Sequence, residues 1–235
     1  MQKTPLYAAH QALGAKLIDF AGWAMPLYYQ TQSLEHLAVR EAVGVFDVSH
    51  MGIVDVEGSE ATAYLSYVLA NDVHKINTPG KALYSCMLNE DGGIVDDLIV
   101  YHLSPNRYRL VINAGRTTED CAWLSVQAKA YQVTLKQRTD FALLALQGRE
   151  ARAILKAALK NTKDAAIVGA LKPFCVAAVG DLVIATTGYT GEDGFEIMVP
   201  ADQAPAFWAQ LLKLGVTPIG LGARDSLRLE AGLNL

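Results

Sequence analysis

Two adjacent acids, Asp96 and Asp97, open an otherwise apolar run, Gly92-Gly-Ile-Val-Asp-Asp-Leu-Ile-Val-Tyr101. Neighbouring strand residues face opposite sides, so one of the two carboxylates points inward unless an edge or a bulge intervenes. A buried carboxylate without a partner is costly. It pairs with a cation or faces a cavity for a charged or protonatable ligand. The plainer alternative is that one acid caps a hairpin and the other pairs with a nearby arginine. A second stretch, Thr187-Gly-Tyr-Thr-Gly-Glu-Asp-Gly-Phe-Glu196, sets Gly188, Gly191 and Gly194 between two strand-like runs. Glycines so dense make a tight, specific loop. Glu196, inside Phe195-Glu-Ile-Met-Val199, either faces solvent or offers a fixed carboxylate to a planar N–H pair. In Gly220-Leu-Gly-Ala-Arg-Asp-Ser-Leu-Arg-Leu-Glu230, Arg224 falls in the first turn of a helix, against the helix dipole. It belongs to a solvated face, or it is a cation placed to bind an acid or a carbonyl oxygen. Trp23, Met25, Tyr28 and Tyr29 read as an aromatic-rich loop, lining a flat-ligand pocket or plain core. His50 reads as a packed, hydrogen-bonded residue. No other histidine or cysteine is spaced for a metal site or a Cys/His nucleophile pair. There is no P-loop and no dinucleotide-binding glycine fingerprint.

The elements that must hold these groups follow from periodicity. Thr4-Pro5 reads as N-cap and first helical residue of a short helix closed by Gly14, with Leu6, Ala9 and Leu13 on one face. Helices are expected over Ser33–Gly44, with Leu34, Leu37 and Ala38 inward, and from Ser59, with Ala63, Tyr64, Tyr67 and Val68 at helical spacing. Strand-like runs are Lys16–Phe20, Gly52–Val56, Leu83–Leu88, Ile94–Leu103 and Tyr108–Asn113, with Asn89–Gly93 as a hairpin loop. Further on come helices over about 116–130 and 149–160, strands at Val133–Lys136, Leu143–Gln147, Phe174–Val179, Leu182–Thr187 and Gly194–Val199, and a helix over Gln203–Leu214. Strands and helices interleave without a regular βαβα beat. An α+β class of antiparallel hairpins with helices fits better than a doubly wound sheet.

The chain has 235 residues, 51% of them hydrophobic, and a net charge of −4. That is too apolar for a disordered chain and lacks the basic footprint of a nucleic-acid binder. Cys86, Cys121 and Cys175 are odd in number and far apart, which suits a reducing cytosol. Met1-Gln-Lys-Thr-Pro5 has no apolar h-region, and no stretch reaches the ~18 unbroken apolar residues of a membrane span. A soluble, cytoplasmic protein is expected. The ending on Leu-Asn-Leu235 is read as a truncation, because chain ends are normally polar and exposed.

Five motifs in order, Asp19-Phe-Ala-Gly-Trp23, Phe46-Asp-Val-Ser-His-Met-Gly52, Gly92-Gly-Ile-Val-Asp-Asp-Leu98, Thr187–Glu196 and Gly220-Leu-Gly-Ala-Arg-Asp225, closely resemble the aminomethyltransferases of the glycine cleavage system, the T-protein family. The likeness runs over essentially the whole chain. It implies a three-domain cloverleaf, of which this chain holds the first two domains: 1–50 with about 140–235, binding folate, and 51–139, ferredoxin-like. On that resemblance the family's C-terminal β domain is expected to be absent.

The resemblance implies transfer of a methylene from an aminomethyl group on the lipoyl arm of a carrier, the H-protein, to tetrahydrofolate, with release of ammonia. Tetrahydrofolate is then a co-substrate, no metal is needed, and the other glycine cleavage components are partners. Asp97 matches the family's key carboxylate. Glu196 and Arg224 match its folate-contacting acid and arginine, Tyr84 matches a tyrosine at the pterin, and Asn113 is a further residue of that pocket. Asp47 and His50 shape the site without acting in the chemistry. Two alternatives remain: a non-catalytic folate-binding fragment, and a folate-binding accessory protein of the kind that serves iron–sulfur assembly. The accessory proteins carry a cysteine motif where Thr187–Glu192 has none. A folate-dependent demethylase module is disfavoured by the missing flavin-binding glycine motif.

Overall fold

The computed structural model describes residues 1–159 and 161–234. In chain order the elements are α1 (Tyr7–Ala12), β1 (Lys16–Phe20), β2 (Trp23–Tyr28), α2 (Gln32–Glu41), β3 (Gly44–Asp47), β4 (Gly52–Glu57), α3 (Ala61–Val68), β5 (Lys81–Leu88), β6 (Ile94–Ser104), β7 (Arg107–Ile112), α4 (Thr117–Ala128) and β8 (Thr134–Gln137). There follow β9 (Phe141–Gln147), α5 (Ala151–Ala158), α6 (Thr162–Ala170), β10 (Val176–Val179), β11 (Leu182–Ala185), β12 (Gly194–Pro200), α7 (Ala204–Lys213), β13 (Thr217–Ile219) and α8 (Leu221–Glu230). The class is α+β with antiparallel sheets.

The chain clusters into two compact units, one of Met1–His50, Asp140–Pro173 and Ala177–Leu235, the other of Met51–Thr139 with Phe174–Val176. The first unit is built on a six-stranded sheet, β10-β11-β12-β9-β3-β13, with a separate β1-β2 hairpin. Only the β13–β3 pairing is parallel among the registers described. Alternation along β12 sends Phe195, Ile197 and Val199 into a core with Leu144, Leu146 and Trp208, which leaves Glu196 on the opposite face.

The second unit orders its strands β5-β6-β7-β4-β8, all antiparallel. The chain path β4-α3-β6-β7-α4-β8 is the βαββαβ arrangement of ferredoxin-like folds, with β5 added at the edge. Leu65, Leu98, Val100, Leu110 and Leu124 pack between this sheet and its helices. Asn89 builds the β5–β6 turn, its Oδ1 accepting from the Asp91 and Gly93 backbones at 3.1 and 2.7 Å.

Several expectations need correction. The Trp23–Tyr29 stretch is largely strand β2, and its Met25 is core. Leu6, not Thr4, is the N-cap of α1; Thr4 spends its hydroxyl on Asp47, and Leu13 is exposed. In α2, Leu34 and Leu37 are exposed, while Glu35 and Val39 point inward. Tyr67 of α3 is exposed, and Ala61 and Leu65 take the inward places with Tyr64 and Val68. Strands β3 and β13 and helix α6 were not expected at all. Lys160, at the expected end of α5, and Leu235 lie outside the described residues.

Candidate functional site

In the second unit the strand β6 divides the acid pair between its faces. Asp96 is buried on the helix side with Leu98 and Val100, and Asp97 lies half-buried on the other face. Among the described residues neither makes an ion pair with an arginine, so the capping and pairing alternative does not hold there. Asn113, at the end of β7, joins the two acids. Its Nδ2 donates to Asp96 Oδ1 at 2.9 Å and to Asp97 Oδ1 at 3.2 Å, and its backbone N–H donates to Asp96 Oδ2 at 3.2 Å. The amide thus fixes the Asp97 side chain from beneath. Cys86 sits opposite Asp97 in the β5–β6 register, and Tyr84 opposite Ile99 two positions on. Directly paired residues share a face, so Tyr84, Cys86 and Asp97 stand together, as Asn113 does with Asp97.

In the first unit Glu196 is flanked on its neighbouring strands by Ala185 and Ala145. Two methyl-sized neighbours leave room around its carboxylate. Glu196 Oε2 accepts the Thr187 hydroxyl at 2.5 Å. Arg224, in the first turn of α8, stacks its guanidinium over the Tyr189 ring at 4.4 Å, a cation–π contact. Burial pulls the Arg224 pKa down, and the charges of Glu196, Tyr189 and Asp225 oppose that. Glu196 and Arg224 therefore belong to one electrostatic cluster. Arg228, by contrast, is spent on Asp225 at 2.9 Å and on the Leu233 carbonyl.

Two residues the sequence did not single out hold the Thr187–Glu192 loop. Gln147 donates to the Thr187 carbonyl at 3.2 Å and accepts the Thr190 hydroxyl at 2.8 Å. Its side chain occupies the space a Cβ on Gly188 would need, 2.1 Å from that position, so a larger residue there would push the Gln147 amide off these bonds. Arg40 of α2 donates to the Thr190 carbonyl at 2.6 Å, to Glu192 at 2.9 Å and to Glu230 of α8 at 2.8 Å.

Asp47 and His50 play structural parts. Asp47 is fully enclosed; it accepts the Thr4 hydroxyl at 2.6 Å, His10 Nε2 at 2.8 Å and the Ser49 N–H at 2.9 Å. Burial would raise its pKa, but these bonds, His10 foremost, hold it below the usual carboxylate range. Tyr29 closes the chain with its hydroxyl on His10 Nδ1 at 2.8 Å. His50 packs edge-on against Phe20, and its Nδ1 has no partner among the described residues. Burial, then the Arg224 charge, push its pKa down to about 4, with Asp47 pulling the other way.

Because unfolded histidine titrates near 6.5, acidification between these values protonates only the unfolded chain. Stability is full above about 6.5 and falls as the pH drops towards 4. The loss reaches roughly 2–3 kcal/mol by about pH 4.5. His50→Gln should therefore flatten the fall of Tm over this range, and an unchanged slope would show that His50 is not the sensing group.

A family model for the GCVT N-terminal domain matches residues 6–235. The chain belongs to that family. A crystal structure of the glycine cleavage system aminomethyltransferase T from Bartonella henselae is similar to this chain at 42% identity and a TM-score of 0.92. The match covers 100% of this chain and 63% of that one, so this chain spans less than two thirds of that relative's length. The heterotetrameric sarcosine oxidase from Corynebacterium sp. in complex with pyrrole 2-carboxylate matches over 97% of this chain and 96% of that one, with a TM-score of 0.56. At 13% identity that likeness is one of fold alone. Among the described residues no group of histidine, cysteine and acidic side chains forms a metal cluster, and no helix is long and apolar enough to cross a membrane.

Proposed function

We propose that this chain is an aminomethyltransferase of the glycine cleavage type. Its substrate is an aminomethyl group on the lipoyl arm of an H-protein, and tetrahydrofolate is the acceptor. The methylene carbon loses its bonds to sulfur and to the amine nitrogen and gains two bonds to folate nitrogens. The two displaced N–H protons end on the dihydrolipoyl thiol and on ammonia. Partners are the lipoylated H-protein and the other glycine cleavage components, and the three free cysteines suit a cytoplasmic setting.

The observation that carries this reading is Asp97, a half-buried carboxylate clamped by Asn113 on the sheet face away from the helices, in a chain of this family. Bound tetrahydrofolate supplies the nucleophilic nitrogen. Asp97 orients the amine N–H and stabilises the cationic character that develops on the CH₂–N unit as the amine departs. Asn113 keeps that carboxylate in one rotamer, so little reorganisation is left for the reacting moment. Tyr84 offers its ring to the pterin. Glu196, steadied by Thr187, accepts the paired N–H groups of an aminopyrimidine edge. Arg224 binds a folate oxygen, its orientation kept by the Tyr189 ring.

Calorimetric titration with tetrahydrofolate tests the binding half of the proposal. Glu196→Ala should weaken affinity by about 1.5–3 kcal/mol, the range for hydrogen bonds to a charged group. Unchanged affinity would remove Glu196 from the folate contacts.

A further inference from the structure

Beneath Asp97 lies a second acid that the reaction above does not use. Asp120, in the first turn of α4, is fully buried; no N–H or hydroxyl donor among the described residues reaches its carboxyl oxygens, and the side chain they meet is Asp96. An ionised carboxylate in that position would be severely destabilising. The nearby Asp96 carboxyl is itself buried and already accepts both donors of Asn113, the amide that also reaches Asp97. The four side chains form a ladder within one unit, from Asp120 through Asp96 and Asn113 to Asp97.

We propose that Asp120 is a positioning residue: as a neutral acid it holds the shared proton of an Asp96/Asp120 pair, and Asn113 passes the state of that pair to Asp97. While the pair carries one negative charge, Asp96 anchors the Asn113 amide and Asn113 keeps a hydrogen on Asp97. Ionisation of Asp120 puts a second charge against Asp96 and draws the amide away from Asp97. Burial first, then Asp96, push the Asp120 pKa up to about 8. The charged groups facing it are Asp96 on β6, Arg116 just before α4, which opposes the shift, and Glu119 on α4 itself, with the Cys121 thiol alongside.

The role of the pair rests on the reading of Asp97 as the reacting acid, but its existence does not, so the test needs no substrate. Carboxyl carbon NMR on the chain labelled in its aspartates is followed from about pH 5 to about pH 10. Asp120 is expected to stay protonated until near pH 8, and the Asp97 signal to show an inflection at the same midpoint. Asp120→Asn, which keeps a donor and cannot ionise, should abolish the Asp97 inflection. Asp96→Asn should lower the Asp120 midpoint. An Asp120 that titrates in the ordinary carboxylate range, or an Asp97 signal without the inflection, overturns the proposal. In the transfer assay, Asp120→Asn should remove the alkaline decline of kcat while Asp120→Ala lowers kcat at every pH. An equal loss in both variants with the decline retained would also overturn it. A chain with the coupled NMR titration but no methylene transfer would instead refute the proposed reaction.

Discussion

Asp97→Asn is expected to slow methylene transfer by about 10²–10³-fold, the usual effect of deleting one preorganised electrostatic contact in a transition state, while Tm barely moves. The asparagine keeps the size and one oxygen, so Asn113 Nδ2, 3.2 Å away, retains an acceptor. What is lost is the charge opposite the cationic CH₂–N unit. Asp97 is only half-buried, so its neutral replacement leaves no orphaned group in the core. Asp96→Asn should show the reverse pattern. Its side chain is enclosed and receives both donors of Asn113, so an inserted NH₂ faces a donor and costs stability, with the milder effect on rate. Single-turnover rates with melting curves alongside decide between the two acids. If Asp96→Asn gives the larger loss of rate, the reacting acid has been misassigned.

Glu35→Ala is expected to destabilise the fold by about 2–4 kcal/mol, because it strands three backbone donors at once, the Gly220 N–H among them fully buried. Glu35 is 1% exposed. Its Oε1 accepts the N–H groups of Tyr29 and Gln30 at 2.6 and 2.9 Å, and its Oε2 accepts that of Gly220 at 2.7 Å. One carboxylate thereby ties the end of β2 and the body of α2 to the N-terminus of α8, the helix that carries Arg224. Gly220 passes so close to β2 that a Cβ would lie 2.3 Å from the Leu27 carbonyl oxygen, so no other acceptor can enter. Glu35→Gln retains one acceptor oxygen and should lose about half as much. Urea unfolding with an unchanged m-value measures the difference. A loss below about 1 kcal/mol would mean that water replaces the carboxylate at all three donors.

Glu35 also shows where the sequence stops being informative. Helical periodicity assigned the inward face of α2 to Leu34 and Leu37, because apolar residues are the ordinary currency of burial. The inward face is instead set by backbone donors that need an acceptor, two just before the helix at Tyr29 and Gln30 and one far along the chain at Gly220, and the last is a requirement no local pattern can encode. Gln147 and Arg40 were missed for a like reason: each satisfies a backbone carbonyl of a loop 40 or more residues away in sequence. Strand β13 has three residues and β3 four, too short for an alternation to register. Pro26 sits within β2, and the β1-β2 hairpin, a two-stranded sheet in which each strand is an edge, tolerates it.

What was legible rests on local chemistry. Asn89-Glu-Asp-Gly-Gly93 marks the β5–β6 turn, and the alternation in β6 requires its two acids to face opposite ways. Composition alone could not say which acid is outward; the register with Cys86 and the bond to Asn113 do. The five ordered motifs were the most specific signal. One of them holds a glycine that close backbone approach requires: a Cβ on Gly194 would lie 2.4 Å from the Leu146 carbonyl oxygen.

The central claim is that this chain transfers a methylene and does not merely bind folate. The direct measurement is ammonia release and methylenetetrahydrofolate formation when the chain meets aminomethyl-loaded lipoylated H-protein and tetrahydrofolate. The account predicts the two products in equal amounts, formed only when chain, carrier and folate are all present. Folate binding with no ammonia above the protein-free control would contradict it.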